Sequence, residues 1–171
     1  MKQILFIIAH EGFQPIEYYA AKAVLETGEQ KILTASDGEG EASPAYDGAP
    51  AKIDASVTDA KAVDYDGVFV VGGPGAIDHL DNENVYRLVR EAAENGLLYG
   101  AICIATRILS HAGVLKGKKA TGWDGDNELG GIIEAGGGEY VREPVVTDGK
   151  MVTATGPKAA EEWGKAILRL C

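Results

Sequence analysis

Long hydrophobic runs are missing from this sequence of 171 residues. None approaches the ~18 consecutive apolar residues that a membrane-spanning helix needs, so we expect no membrane partner. A secretory leader is missing too, because only seven apolar or amide residues separate Lys2 from His10. These two absences together predict a protein of the cytoplasm.

Cysteine is scarce, with only Cys103 and Cys171 in the chain. Two cysteines make no disulfide framework, and a single cysteine in mid-chain is typical of a reducing compartment. The spacing of cysteine and histidine also fails to match a zinc site. We therefore expect neither a metal nor another cofactor.

Basic residues are in a minority, with 16 Lys and Arg against 26 Asp and Glu and a formal net charge of -10. Such an acidic surface repels nucleic acid, so we expect no nucleic-acid partner. Hydrophobic residues make up 46% of the chain and charged residues 25%, as in ordinary globular proteins, which excludes a disordered chain. At this length, residues 1–171 are expected to form a single domain.

Apolar runs without polar alternation occur at residues 4–9, 68–71 and 97–102. Such runs are typical of strands that are buried on both faces of a parallel sheet. Residues 37–50 are polar and predict a loop or a short hairpin. Helices are predicted at residues 16–26, 82–95, 104–112 and 159–170, and a short strand is predicted at residues 120–123. The repeated order of strand, Gly-containing loop and helix predicts an α/β fold, with a doubly wound, mostly parallel sheet and helices on both faces.

Ligands bind such sheets outside the carboxyl ends of the strands, so the residues directly after the strands are the candidates for a site. Among them, Gly72-Gly73-Pro74-Gly75 could form an anion hole, because glycine lets a backbone N–H face a ligand oxygen. A phosphate-binding loop and a simple tight turn are the alternatives. The remaining candidates are His10 to Glu17, Cys103, Ile104 and Trp123 to Asp126.

Cys103 ends an apolar strand, and a predicted helix follows it at once. This order indicates a strand-to-helix elbow, which exposes its side chain at the edge of the sheet and leaves the next N–H free. Because a helix N-terminus favours thiolate, we expect the pKa of Cys103 to lie below that of a free cysteine. The alternative is an inert buried thiol.

Glu17 lies in the first turn of the helix after the first strand, so we expect it to face the same cleft. A carboxyl beside a thiolate is driven toward its protonated form, which could donate a hydrogen bond to the sulfur. The alternative is a solvated residue that complements the helix dipole. His10 and His79 lie in loops at the carboxyl ends of strands, where each is either a base for Cys103 or a bystander.

Four segments of the chain carry a resemblance to a known family: residues 4–9 with Glu17, residues 68–75, the Ala101-Ile102-Cys103 elbow and residues 113–121. Together they resemble the ThiJ/PfpI superfamily over nearly the whole chain. The resemblance implies a flavodoxin-like fold of the class I glutamine amidotransferase type, in a homodimer or a higher homo-oligomer. It also implies that Cys103 is the nucleophile, that Glu17 is its partner acid, and that the amides of Gly73 and Ile104 hold an oxyanion.

The sequence departs from two branches of the superfamily. The peptidase-like branch carries a His directly after the Cys, where this sequence has Ile104. Other branches place a His in the position that Trp123 occupies here, which leaves Trp123, Asp124 and Asp126 as further candidates for a base or a supporting residue. We therefore expect a poor peptidase.

The resemblance implies a cysteine-dependent hydrolase or lyase that acts on a small electrophilic carbonyl compound, as glyoxalases and deglycases do. One alternative is an intracellular cysteine peptidase or amidase of the PfpI type. Another is a non-enzymatic redox sensor or chaperone that uses oxidation of Cys103.

Overall fold

Strands and helices alternate along residues 1–171, all of which the computed structural model describes. The strands are β1 (Gln3–Ile8), β2 (Glu11–Phe13), β3 (Lys31–Ser36), β4 (Glu41–Pro44), β5 (Ala51–Lys52), β6 (Ala55–Ser56), β7 (Gly67–Val70), β8 (Leu98–Ile102), β9 (Lys119–Ala120), β10 (Glu139–Tyr140), β11 (Val145–Asp148) and β12 (Met151–Ala154). The helices are α1 (Pro15–Thr27), α2 (Ala76–Leu80), α3 (Glu83–Glu94), α4 (Thr106–Ala112), α5 (Leu129–Ala135) and α6 (Ala160–Leu168).

The central sheet has seven strands in the order β11-β12-β8-β7-β1-β3-β6. All neighbours are parallel except β11 and β12, which form an antiparallel hairpin. From β1 the chain passes to β3 on one side and later to β7 on the other side. A crevice therefore opens at the carboxyl ends of β1 and β7, where ligands bind in folds of this type.

Two hydrophobic cores lie on the two faces of the sheet, because successive side chains of a strand point to opposite faces. In β1, Leu5 and Ile7 enter the core that α3, α4 and α5 cover. Ile4, Phe6 and Ile8 enter the core that α1 and α6 cover, where Phe6 stacks on Trp163 at a ring distance of 5.7 Å. This layering confirms the predicted mostly parallel α/β sheet with helices on both faces.

Residues 37–50 carry the short hairpin that the sequence allowed, because β4 pairs antiparallel with β5, and β4 also pairs with β2 in a small three-stranded sheet. Two other segments differ from the prediction. The strand expected over residues 120–123 ends at Ala120. The helix expected from Ile104 begins at Thr106, because Cys103–Ala105 forms a 3₁₀ turn first. None of the helices combines the length and the hydropathy that crossing a bilayer requires.

Candidate active site

Cys103 stands at the carboxyl end of β8 in a left-handed conformation, with φ at +62°. A residue with a Cβ loses about 1–2 kcal/mol in this region, so the surrounding structure must hold the turn in place. Gly72 makes room for it, because a Cβ on Gly72 would come within 2.7 Å of the Cys103 Cβ and 2.9 Å of the Ile102 oxygen. The thiol is therefore held at a sharp elbow between β8 and the following 3₁₀ turn.

Two backbone amides converge on the Cys103 sulfur, the N–H of Ile104 and the N–H of Gly73. Gly73 has φ at +119°, a conformation that favours glycine. The loop after β1 braces it, because Gln14 N–H donates to the Gly72 oxygen at 3.0 Å and Gly75 N–H donates to the Gly12 oxygen at 3.1 Å. These are the two amides to which the family resemblance assigns an oxyanion hole.

Glu17 is fully buried in the first turn of α1. The side chain of Gln14 caps this helix by accepting from the Ile16 N–H at 2.9 Å, which sets the position of Glu17 one residue later. Glu17 Oε2 accepts from the Gly72 N–H at 2.9 Å, and Oε1 has no hydrogen-bond partner of good geometry although the Cys103 thiol lies beside it. Burial raises the pKa of Glu17 to about 7, although the interactions with Cys103 and Gly72 act to lower it.

The predicted lowering of the Cys103 pKa is wrong. Burial and the adjacent Glu17 carboxyl raise the pKa of the thiol, and the N–H groups of Ile104 and Gly73 offset only part of that rise. The helix contributes little, because α4 has seven residues and begins three positions after Cys103. The direction of the Glu17 shift agrees with the sequence-based expectation, but its main cause is burial rather than the charge of a thiolate.

A cavity of about 340 Å³ opens above the thiol. Trp123 forms part of its wall and is held next to Cys103, because its backbone N–H donates to the Cys103 oxygen at 3.0 Å. The residues that line the cavity are Gln14, Glu17, Tyr46, Gly73, Pro74, Cys103, Ile104, Trp123 and Pro157. The structure thus brings together Cys103, Glu17, Gly73, Ile104 and Trp123.

The structure does not bring the two candidate histidines to this cavity. His79 Nδ1–H donates to Asp37 Oδ2 at 2.6 Å, and the His10 ring contacts the Glu39 oxygen through Nε2 at 3.3 Å. Neither ring lines the cavity wall. His10 follows β1 in a loop as expected, whereas His79, which was expected in a loop, lies in the last turn of α2. Asp37 and Glu39, in the loop after β3, hold the two rings away from the cavity.

The two candidate aspartates lie in the loop after β9, and both accept hydrogen bonds from other groups of the protein. Asp124 Oδ1 accepts from the Leu129 N–H at 2.9 Å at the start of α5, and Oδ2 accepts from the Tyr140 hydroxyl at 3.2 Å. Asp126 accepts from Arg107 at 2.7 and 2.8 Å. Neither carboxylate lines the cavity, so a role as base for Cys103 is not supported by their positions.

Gln14 lies within the candidate segment His10 to Glu17, but sequence reasoning missed Tyr46 and Pro157 as parts of the cavity wall and Arg107 behind Trp123. Pro157 begins a helical turn after a strand, a position that could have marked it. Tyr46 lies in the loop between β4 and β5, and nothing local predicts where that loop folds. No three His, Cys, Asp or Glu side chains come together in a group that would hold a metal ion.

The arrangement joins a thiol, two N–H donors and a carboxyl that titrates near neutral pH. A thiol can attack an electrophilic carbon, and paired N–H groups stabilise the negative oxygen that then forms. A carboxyl with a pKa near 7 is suited to accept and return a proton at neutral pH. The site therefore has the parts for covalent catalysis on a carbonyl group.

Known proteins resemble this chain in sequence and in fold. The chain is 27% identical to the deglycase PfpI of Pyrococcus furiosus over 168 residues, covering 98% of each protein. An uncharacterised protein of Methanocaldococcus jannaschii is 30% identical over 98% of this chain and 81% of its own length.

Solved structures superpose closely on the whole chain. A ThiJ/PfpI domain protein from Brachyspira murdochii matches with a TM-score of 0.91 at 26% identity, over 98% of this chain and 95% of its own. DJ-1beta of Drosophila melanogaster matches with a TM-score of 0.86 at 28% identity, over 99% of this chain and 89% of its own. The sequence profile of the DJ-1/PfpI family matches residues 2–170. The chain therefore belongs to the DJ-1/PfpI family.

Proposed function

We propose that this protein is a cysteine-dependent hydrolase or lyase that acts on small α-oxoaldehydes. The observation that carries the proposal is the convergence of the Cys103 thiol, the Gly73 and Ile104 amides and the buried Glu17 carboxyl on one cavity. The similarity to the P. furiosus deglycase supports the same class of reaction. The cytoplasm is the compartment that we propose for it, because Cys103 and Cys171 are both free thiols.

The first step joins the sulfur to the aldehyde carbon. As the C–S bond forms, the carbonyl π electrons move to the oxygen, and the N–H groups of Gly73 and Ile104 stabilise the resulting negative charge. The thiol proton passes to Glu17, whose raised pKa lets it hold that proton near pH 7. Glu17 then protonates the oxygen to give a hemithioacetal.

The second stage shifts two hydrogens within the adduct and releases the product. Glu17 takes the proton from the former aldehyde carbon while the neighbouring ketone oxygen gains a proton, which gives an enediol. A proton then returns to the former ketone carbon and the hydroxyl on the sulfur-bound carbon loses its proton, which leaves a thioester of a 2-hydroxy acid. Water then cleaves the thioester and restores the thiol. The aldehyde carbon is oxidised and the ketone carbon is reduced, so the net reaction consumes only water and needs no external oxidant.

Peptide cleavage is disfavoured by the composition of the cavity wall. An amine leaving group must receive a proton before it departs, and His commonly supplies it in cysteine peptidases. Here Ile104 follows the nucleophile, and neither His10 nor His79 lines the cavity. An α-oxoaldehyde avoids this demand, because its conversion expels no amine.

The test is lactate formation from methylglyoxal by the purified chain. Replacing Cys103 with Ala is expected to abolish turnover, and Glu17→Gln is expected to lower it by ~10²–10⁴-fold through loss of proton transfer. Cys171→Ala is the matched control, since Cys171 is an exposed free thiol outside the cavity and its loss should leave turnover unchanged. Turnover that persists in Cys103→Ala would contradict the proposal.

The redox-sensor alternative predicts a different pattern. Peroxide would then add oxygen atoms to Cys103, seen as a mass increase of the intact protein, while no α-oxoaldehyde is consumed. Cleavage of peptide amides that depends on Cys103 would instead support the peptidase alternative.

A further inference from the structure

Trp123 lies next to the nucleophile in space although it follows it by 20 positions in sequence. Its backbone N–H donates to the Cys103 oxygen at 3.0 Å, and its side chain lines the same cavity as the thiol. Trp123 is 39% exposed, which makes its indole an accessible apolar surface at the site. A large aromatic ring left open to solvent at a cavity is suited to contact a ligand.

Two neighbours hold the indole in place. The Arg107 guanidinium lies 5.6 Å from the ring centre, and Asp126 fixes that guanidinium with bonds of 2.7 and 2.8 Å. The backbone of Gly125 packs against the ring so closely that an added Cβ would collide with it and come within 2.7 Å of the Trp123 Cε2. The ring is therefore a preformed wall and needs no rearrangement to bind a ligand.

Four other residues of the wall are largely apolar. Tyr46, Pro74, Pro157 and Ile104 line it together with Trp123. Its volume of about 340 Å³ lies within the range of ~300–1,000 Å³ that is usual for small-molecule pockets. A three-carbon oxoaldehyde would leave much of this space unfilled, whereas a compound with a planar ring would fill it.

The wall also lacks a cation, because no Lys, Arg or His side chain lines the cavity. The one carboxyl in it belongs to Glu17, and the charge of Arg107 behind the indole is already paired with Asp126. A carboxylate or phosphate in the cavity would lose its water and find no positive partner, which is costly. The net charge of -10 acts in the same direction.

We propose that the cavity selects an uncharged carbonyl compound that carries a planar apolar group, and that this group packs on the Trp123 indole. The inference deepens the proposed function by naming the kind of carbonyl compound that binds. The recognition itself depends on Trp123 and the charge of the wall, and it does not require turnover. Arg107 and Gly125 act as positioning residues for the indole.

Binding can be measured without any reaction by NMR of the ¹⁵N-labelled wild-type chain. The chain has two tryptophans, so it gives two indole N–H signals, and Trp123→Phe identifies the one from Trp123. Trp163 is an internal reference, since it is fully buried and its Nε1–H donates to the Val152 oxygen at 3.1 Å. The probes are acetophenone, acetone and benzoate. Acetophenone carries both a ketone and a ring, acetone carries the ketone without the ring, and benzoate carries the ring with a negative charge.

Acetophenone is expected to shift the Trp123 signal, leave the Trp163 signal in place, and bind about three- to tenfold more tightly than acetone or benzoate. Gly125→Ala, which adds a methyl group where the ring lies, is expected to remove that preference in a folded protein. Equal affinity for the three probes, tighter binding of benzoate, or a Trp123 signal that never moves would each overturn the inference.

Turnover gives the second readout and separates this inference from the proposed function. The ratio of kcat/KM for phenylglyoxal over methylglyoxal is expected to fall at least about threefold in Trp123→Leu, through KM, and to be restored in Trp123→Phe. A ratio unchanged in Trp123→Leu overturns the inference while the proposed function stands. Selective binding of acetophenone with no turnover of either oxoaldehyde supports the inference and contradicts the proposed function.

Discussion

Glu17 and Cys103 form a pair of acidic groups in a shared buried environment. Burial penalises the charged form of each group, and a charge on one raises the cost of a charge on the other. The pair therefore keeps at least one proton across the neutral range, and its titration belongs to both groups together. In the proposed mechanism, proton transfer between the two residues gives the sulfur its nucleophilic form.

The raised pKa of Glu17 makes the fold less stable as the pH rises. Its pKa is 4.5 in the unfolded chain and about 7 in the folded protein, so the folded state holds the proton more strongly. The contribution of this proton to the free energy of unfolding is fully present below about pH 4.5 and is lost as the pH rises to about 7. The total loss is about 3 kcal/mol. Glu17→Gln removes the ionisation, so this variant should be more stable than wild type at pH 8 by up to about 3 kcal/mol.

Urea unfolding of both proteins at pH 4.5 and pH 8 measures this difference. The gain should be large at pH 8 and close to zero at pH 4.5, because the wild-type carboxyl is protonated there. Glu94→Gln, a change at an exposed carboxyl near the end of α3, is the control for the chemistry of the substitution. A gain of equal size at both pH values would show that Glu17 does not ionise in this range.

At the scale of the elements, the site depends on backbone packing between the loops after β1 and β7. Gly73 and Gly75 in one loop approach Gly12 and Gln14 in the other so closely that side chains would not fit between them. This contact aims the Gly73 N–H at the Cys103 sulfur, and it places the first turn of α1 with Glu17 beside the same atom. Two loops that are far apart in sequence thus build one half of the cavity.

Gly73→Ala should therefore damage both stability and activity. Its Cβ would collide with the Gly12 oxygen and lie 2.5 Å from the Gln14 nitrogen, at a φ of +119°. We expect turnover to fall by ~10²–10³-fold, because one donor to the oxyanion is displaced. The measurement is kcat on methylglyoxal together with the free energy of unfolding in urea.

Gly96→Ala is the matched control for this change. Gly96 also has a positive φ, at +67°, but no atom lies within 4 Å of its added Cβ. It should lose about 1–2 kcal/mol of stability from the strained backbone and keep full turnover. Equal losses of activity in the two variants would mean that the loop contact does not position the Gly73 amide.

The sequence predicted those elements and site residues whose position depends on neighbours along the chain. The apolar runs gave the parallel strands, and the order of strand and turn placed Cys103, Gly73 and Ile104 at one edge of the sheet. The sequence did not predict where the side chains of His10, His79 and Asp126 lie. They are held by Asp37, Glu39 and Arg107, which come from distant segments of the chain. The prediction of a lowered Cys103 pKa was wrong for the same reason, because the burial that raises this pKa comes from the whole fold.

For the whole molecule, several carboxylates oppose the effect of Glu17 on stability. A hydrogen bond from Arg107 lowers the pKa of Asp126, and one from the Lys119 N–H lowers the pKa of Asp148. Burial acts to raise the pKa of Asp37, but bonds from the His10 N–H and the His79 ring outweigh it. These groups contribute stability above their usual pKa of 3.8 and lose it as the pH falls further.

The free energy of unfolding should therefore reach its maximum between about pH 4 and 6 rather than at neutral pH. On the acid side, protonation of Asp37, Asp126 and Asp148 weakens the fold, and on the neutral side ionisation of Glu17 does so. The excess of negative charge adds repulsion at higher pH. Urea titrations from pH 3 to pH 9 measure the curve, and a maximum above pH 7 would contradict the assignment of Glu17.

The homodimer that the family resemblance implies stays a prediction.

The left-handed elbow at Cys103 has a consequence for how this protein can change. A glycine at position 103 would adopt φ near +62° without the steric cost that a Cβ brings. The fold would therefore be more stable with glycine in place of this cysteine. Under the proposed function, stability and chemistry therefore compete for this single position. A glycine there would relieve the backbone and remove the thiol on which the proposed reaction depends.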